Sequence, residues 1–313
     1  MSPDLALDSP LDTTPAAQDR SWLPLVAAGI TMVLWASAFV VIRGLSGAVD
    51  PGPLALGRLL VGSVVLTGVA LLRRGRPPLR IPRGRPLVLI IAYGVLWFGV
   101  YTVAVNAAGH YLDAGTSAMI VNLAPVIVAV LAGLFLGEGF PRQLMIGLLI
   151  AFAGVVIIAS ASRTGQVDPW GVLLALAAAG LYAIGVLLQK QALATVDPVT
   201  VTWLGALAGT VATLPFIGSL VAQLGAEPLS VTVGVIYLGV FPTAIAFLLW
   251  SYALARTSAG RMAASSYVVP GIAVLLSWMF LAEVPAPVAL IGGAVSLAGV
   301  ALTRLPLGRT GRP

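Results

Sequence analysis

Apolar residues run along this chain in blocks of about 20, the length a helix needs to cross a bilayer core. The blocks follow one another almost without pause from Trp22 to Leu302. Breaks fall where Pro, Gly and charged residues cluster. They delimit ten predicted helices, at residues 22–43, 52–72, 86–107, 116–136, 143–161, 169–190, 199–222, 231–253, 260–281 and 286–304. Ten-residue segments of alternating hydrophobicity, the mark of a membrane barrel, are absent. In hydrocarbon every backbone N–H and C=O needs a partner, and a helix supplies all of them from within. The pattern therefore predicts an all-α integral membrane protein. Four aspartates and three prolines make residues 1–21 read as a disordered tail, and residues 305–313 form a second. An acidic start is unlike a cleaved signal peptide, so the first helix is expected to be retained.

The apolar pattern also repeats. "NLAPVIVAVLAGLFLGE" (Asn122–Glu138) and "YVVPGIAVLLSWMFLAE" (Tyr267–Glu283) each place a glutamate 13 residues after a proline, Pro125 to Glu138 and Pro270 to Glu283. The same offset of 145 lays Gly239 on Gly94, Gly260 on Gly115, Gly292 on Gly147 and Gly299 on Gly154. An offset of 147 lays Val196–Pro198 on Val49–Pro51, Tyr182 on Trp35 and Lys190 on Arg43. One short motif recurs easily by chance in apolar sequence; a near-constant offset held from the first helix to the last does not. Two homologous repeats of five helices follow, residues 22–161 and 169–304. Five is odd, so the second enters the membrane from the opposite side. Inverted repeats let each half adopt the other's conformation and expose a midplane site to either side in turn.

Charge orients these spans. The loop "RRGRPPLRIPRGR" (Arg73–Arg85) puts six arginines between the second and third. Lys and Arg collect on the cytoplasmic side, which places this loop and both termini inside. The cytoplasmic segments then hold 14 of the 17 basic residues, Arg43, Arg58 and Arg163 being the exceptions. Because the basic residues flank the membrane and form no single folded face, the charge of +6 is not a nucleic-acid footprint. The partners expected are the lipid bilayer and a small-molecule solute, and ten spans suffice for a complete monomer. With no cysteine and one histidine, His110, neither a disulfide nor a thiolate or histidine metal site is available, and no cofactor is expected. Arginine outnumbers lysine 16 to 1, the usage of a GC-rich bacterial genome, so the expected location is the bacterial cytoplasmic membrane.

Ten helices in two inverted repeats resemble the EamA family of the drug/metabolite transporter superfamily. The likeness rests on "LWASAFVVIR" in the first helix (Leu34–Arg43), "GRLL" in the second (Gly57–Leu60), the two proline–glutamate segments, and "RTSAGRMAASSYVVP" (Arg256–Pro270) leading into the ninth. It spans about residues 22–304. The resemblance implies export of amino acids, related metabolites or drugs, through a central cavity lined mainly by helices 1, 3, 4, 6, 8 and 9.

Candidate cavity residues are Trp35, Trp97, Tyr101, Asn122, Tyr182, Trp250 and Tyr267. Tyr93, Trp97 and Tyr101 follow at steps of four and so stack along one face of the third helix. Phe247 and Trp250 lie three apart on the eighth. Aromatic rings give an amphipathic solute rigid apolar walls with polar edges; helix packing and anchoring at headgroup level are the plainer readings. Trp35 has an aromatic repeat mate in Tyr182. Asn122 and Tyr267 each stand three residues before a proline, Pro125 or Pro270, which removes a backbone donor and frees a carbonyl one turn earlier. Transporter sites form at such broken helices.

Arg43 and Lys190 end the first helix of each repeat at corresponding positions on opposite faces. They either snorkel to headgroups or form an electropositive lip at each vestibule that attracts carboxylates. Arg58 lies inside the second helix, where a mid-bilayer cation costs at least ~2.5–3.5 kcal/mol and must face protein or water. A structural bond to carbonyls of a neighbouring helix is the expectation there. Glu138 and Glu283 are expected to satisfy backbone donors or basic loops at helix ends, a gating or proton role being the alternative.

Helices 1, 3, 6 and 8 carry no interior Asp or Glu. The small multidrug antiporters of the same superfamily rely on a buried glutamate in their first helix, which residues 22–43 lack. A cavity of aromatics, amides and cations suits neutral, zwitterionic or anionic solutes better than organic cations. Alternating-access export is therefore the expected function, with proton-coupled antiport as the alternative. A non-transport membrane protein, either an intramembrane enzyme or an assembly factor, is the remaining class. An enzyme needs a nucleophile–base pair, a metal set or paired acids, and His110 with Asp113 in "GHYLDAG" reads as a solvated loop pair.

Overall fold

The computed structural model describes residues 22–72, 81–135, 142–160, 167–257, 262 and 265–302. Glu138 lies outside the described residues, as do both tails and most of the arginine-rich loop. Every element among the described residues is helical. In chain order these are α1 (Leu23–Leu45), α2 (Pro51–Leu71), α3 (Arg85–Tyr111), α4 in two pieces (Ala114–Val121 and Ala124–Phe135) and α5 (Arg142–Ser160). Then follow α6 (Pro169–Ala192), α7 (Pro198–Ala226), α8 (Leu229–Arg256), α9 (Ser266–Leu281) and α10 (Pro287–Leu302). Six of them, α1, α2, α3, α6, α7 and α8, are long and apolar enough to cross a bilayer, and the others are shorter apolar helices. The chain is a multi-pass membrane protein.

Helix starts follow local rules. Proline opens α1, α2, α6 and α7, at positions where its missing N–H would have no partner anyway. Carboxylates of Asp113, Asp168 and Asp197 accept from the backbone N–H of Thr116 (2.8 Å), Trp170 (2.8 Å) and Val199 (3.1 Å), as N-caps do. Asp113, which sequence placed in a solvated loop with His110, is thus the cap of α4. Helix α4 breaks at Asn122–Leu123, just before Pro125, and α9 opens with a 3₁₀ turn, Ser266–Val268, just before Pro270. Two π-helical stretches, Gly94–Tyr101 in α3 and Gly239–Ile245 in α8, sit at matching positions 145 apart. Their five-residue hydrogen bonds widen the turn and shift which side chains share a face.

Helix packing closes a ring. α1 packs on α8, α8 on α2, α2 on α7, α7 on α3, α3 on α6, α6 on α4, α4 on α9, and α9 returns to α1. α5 and α10 pair with each other and reach the ring through α4. Glycines bring that pair to backbone contact: a Cβ at Gly292 would lie 2.6 Å from the Gly154 carbonyl oxygen, and one at Gly299 2.7 Å from that of Gly147. Small residues admit such close approach, which van der Waals contact then stabilises in lipid.

The helix ends sort into two sets. At one, Arg43 near the end of α1 meets Gly109 near the end of α3 and Glu283 just beyond α9. At the other, Lys190 near the end of α6 meets Leu254 and Thr257 at the end of α8, and Arg85 at the start of α3 reaches Gln191. Helices α1, α3 and α9 therefore run one way through the bundle and α6 and α8 the other.

Candidate functional site

A cavity lies within the ring. Trp35, Phe39 and Ile42 of α1, and Trp97, Phe98, Tyr101 and Thr102 of α3, form much of its wall. Asn122 and Pro125 enter from the break in α4, Tyr182 from α6, Thr243 and Phe247 from α8, Ser266 and Val269 from α9, and Arg58 from α2. Among the described residues Arg58 is the one charged side chain on these walls.

Five aromatic rings close the cavity toward the Lys190 end. Trp35 stands 4.9 Å from Trp250, 5.3 Å from Phe247 and 6.0 Å from Tyr182, centroid to centroid. Trp97 meets Tyr182 edge-on at 4.8 Å. The tilted and edge-to-face geometries are those the ring quadrupoles favour. Gly185 makes room for Trp97, since a Cβ there would come within 2.6 Å of the indole. The Trp35 indole N–H is donated to the Pro242 carbonyl at 3.3 Å, inside the π stretch of α8.

Beneath these rings lies a buried hydrogen-bonded plug centred on Gln189. Its Nε2 donates to the Tyr93 hydroxyl (2.9 Å) and to Ser251 Oγ (2.7 Å), while its Oε1 accepts from the Trp250 indole (2.9 Å). Ser251 in turn bonds Thr202 at 2.6 Å. Lys190 Nζ donates to the carbonyls of Leu254 (2.7 Å) and Thr257 (2.8 Å). A cation suits these carbonyls, which the end of α8 leaves without helical partners. At the opposite end Arg43 grips Glu283, its Nε 3.0 and 3.1 Å from the two carboxylate oxygens and its Nη2 3.0 Å from Oε1. The Arg43 Nη1 also donates to the Gly109 carbonyl at 3.3 Å.

Arg58 donates through Nε to Thr243 Oγ1 at 3.0 Å. The Thr243 proton is committed to the Leu238 carbonyl (2.8 Å), so its oxygen can only accept from Arg58. The Tyr101 phenol lies within electrostatic range of the guanidinium. Two further polar atoms on the walls are buried and have no hydrogen-bond partner among the described residues: Asn122 Oδ1 and the Tyr182 hydroxyl. A buried polar group in that state costs about 1–3 kcal/mol.

Five of the predicted cavity residues, Trp35, Trp97, Tyr101, Asn122 and Tyr182, come together on one wall system. Two stand back from it. Trp250 is fully buried behind Trp35, drawn down by its bond to Gln189. Tyr267 falls off the lining face because the 3₁₀ turn aligns Ser266 with Val269, three residues apart. Tyr93 departs from the predicted stripe: the π stretch begins one residue later, and its ring packs into the space left by Gly205 on α7. Neither Arg43 nor Lys190 is a free electropositive lip, since each is bonded to protein. Arg58 bonds a hydroxyl where carbonyls were expected, and it lines the cavity. Phe247, weighed with Trp250 on the eighth helix, does line the cavity, whereas sequence reasoning passed over Phe98 and Thr243. The π stretches that turn them inward carry no composition signal beyond Gly94, Gly239 and Pro242. No group of three acidic or histidine side chains able to hold a metal occurs among the described residues.

Comparison with known proteins gives a consistent set of likenesses. The sequence profile of the EamA-like transporter family matches residues 22–160 and again residues 169–305. A protein of Streptantibioticus cattleyicolor named "Probable terminal-alkyne amino-acid exporter" is 38% identical over 284 residues, covering 90% of this chain and 93% of that one. An uncharacterized transporter of Bacillus subtilis is 30% identical over 286 residues, 91% of this chain and 92% of its own. A "Probable amino-acid metabolite efflux pump" of Salmonella typhimurium is 24% identical over 282 residues, 87% of this chain and 91% of its own. One crystal structure superposes with a TM-score of 0.63 at 21% identity, over 91% of this chain and 98% of that one, a likeness of fold.

Proposed function

Because this chain belongs to the EamA-like transporter family, and so is a membrane transporter, we propose that it exports amino acids or related small neutral, zwitterionic or anionic metabolites by alternating access. The observation that carries this is the cavity itself, walled by aromatic rings, with one cation and no acidic side chain among its described lining residues. Such a site takes an amphipathic solute that is not a cation. The names of the relatives from Streptantibioticus and Salmonella support the amino-acid class.

In this proposal ten spans form two inverted repeats, residues 22–161 and 169–304, with both termini on the cytoplasmic side of a bacterial cell membrane. The opposite directions of α1 and α6, the first helices of the two repeats, support the inversion. So do the paired π stretches of α3 and α8. Trp35, Trp97, Tyr101, Asn122 and Tyr182 contact the solute. The Arg43–Glu283 contact closes the outer end, and the Gln189 plug with Lys190 closes the inner one. With no acid among the described wall residues to carry protons, the solute moves down its own gradient.

Metabolite efflux compared between cells with and without the protein tests the reading, repeated for Trp35→Ala and Trp97→Ala. Solute-specific efflux that falls in both variants is the expected result. Efflux unchanged in both removes the cavity assignment, and strict dependence on a pH gradient in proteoliposomes replaces facilitated export by proton antiport.

A further inference from the structure

We propose that Arg58 is the carboxylate anchor of this cavity, and that the solute is a zwitterion whose ammonium group reaches Asn122 Oδ1 and the Tyr182 hydroxyl on the facing wall. This inference rests on the transport reading above and narrows its substrate class.

Arg58 differs from the protein's other buried-end cations in how little of it the protein uses. Arg43 engages Nε, Nη1 and Nη2, and Lys190 holds two carbonyls. Arg58 is 6% exposed, yet it spends only its Nε, on Thr243. Its two Nη groups form no hydrogen bond within the described residues, and the side chain lines the cavity. A guanidinium held this way, at span depth and with no acid among the described wall residues, has no counter-charge there. A buried cation of that kind is costly until an anion or water meets it. Its planar fork matches a carboxylate with two parallel bonds.

The facing wall offers the complement. α2 packs on α7 and α8, whereas α4 packs on α6 and α9, so Arg58–Thr243 and Asn122–Tyr182 belong to different sides of the ring. Asn122 Nδ2 donates to the Ala118 carbonyl at 3.1 Å. A carbonyl only accepts, which fixes the amide orientation and leaves Oδ1 as an acceptor. That atom and the Tyr182 hydroxyl are the two wall atoms left buried without a partner in the described structure. An ammonium donates three hydrogen bonds and satisfies both. Trp35, Trp97 and Phe247 then cover the apolar part of the solute.

The test uses the purified full-length protein in detergent and its intrinsic tryptophan fluorescence, since Trp35 and Trp97 line the site. Three ligand sets are titrated: L-leucine and L-norvaline, the matching amines without the carboxylate, and the matching acids without the ammonium. The amino acids are expected to bind about tenfold or more tightly than either analogue, the loss of one charge-assisted contact. In Arg58→Gln, affinity for the amino acids and acids falls by a similar factor while that for the amines stays within about twofold. Arg58→Lys, which keeps the charge and loses the fork, falls between. If Arg58→Gln does not fold, the wild-type analogue series decides alone. Amines that bind as tightly as amino acids overturn the anchor, and so does a panel in which nothing binds. In either case the efflux assay with Trp35→Ala judges transport separately, so the two readings fail independently.

Discussion

Glu283→Gln removes the charge from the contact that, in the proposed transport cycle, closes one end of the cavity, while keeping the side chain's size. Three distances of 3.0–3.1 Å make the Arg43–Glu283 pair bidentate, and such forks lie at the strong end of their class. Both side chains are nonetheless about a third exposed, at 28% and 32%. Water therefore screens the pair, and its worth is about 1 kcal/mol. One kcal/mol is about a fivefold change in the ratio of closed to open states. The chain contains no cysteine, so Thr102→Cys introduces a sole thiol on the cavity wall. Its labelling by a membrane-impermeant maleimide reports how often this end opens. Labelling is expected to rise about fivefold in Glu283→Gln, and the difference narrows in high salt as screening weakens the native pair. The doubly reversed variant Arg43→Glu with Glu283→Arg restores the slow rate. Rates that stay the same in the single variant, or that the reversal fails to restore, refute the gate.

Four further outcomes follow from the packing. Gln189→Leu strands the Trp250 indole N–H and takes the donor from the Tyr93 hydroxyl, lowering stability by about 1–3 kcal/mol, read as a reduced Tm in detergent. Gly154→Ala pushes a methyl into the backbone of α10 near Ser296 and Gly292 and costs about 1–3 kcal/mol by overpacking. Gly271→Ala, with nothing within 4 Å of the added carbon, leaves the same thermal transition in place or raises it. Gly185→Ala drives its new carbon to 2.6 Å from the Trp97 ring, so efflux falls while the amount of folded protein in the membrane is maintained.

Much of this architecture is legible in the sequence because lipid imposes simple demands. Long apolar blocks mark the helices, Pro125 marks the break in α4, and the glycine pairs Gly147/Gly154 and Gly292/Gly299 mark where α5 and α10 touch. Side-chain direction is harder to read. The stripe Tyr93, Trp97, Tyr101 assumes 3.6 residues per turn, and the π stretch Gly94–Tyr101 breaks that period, turning Phe98 inward beside Trp97 and leaving Tyr93 to α7. Arg43 and Glu283 are 240 residues apart, and no local spacing announces their contact. The place of Arg58 depends on how α2 meets α8, a matter of tertiary packing that residue type alone does not specify.

Where Gly147 and Gly154 of α5 meet Gly292 and Gly299 of α10, backbone lies close against backbone. Under the transport proposal that line would serve as a hinge pin, permitting turning and resisting shear. In the proposed alternating access, motion of one repeat against the other would grow with the length of the lever arm, smallest at α4 and greatest at α2, which stands directly opposite α4 in the ring. The link from Arg58 on α2 to Thr243 on α8 is at the far end of that arm, so a slight turn at such a pin would become a large displacement at the cation.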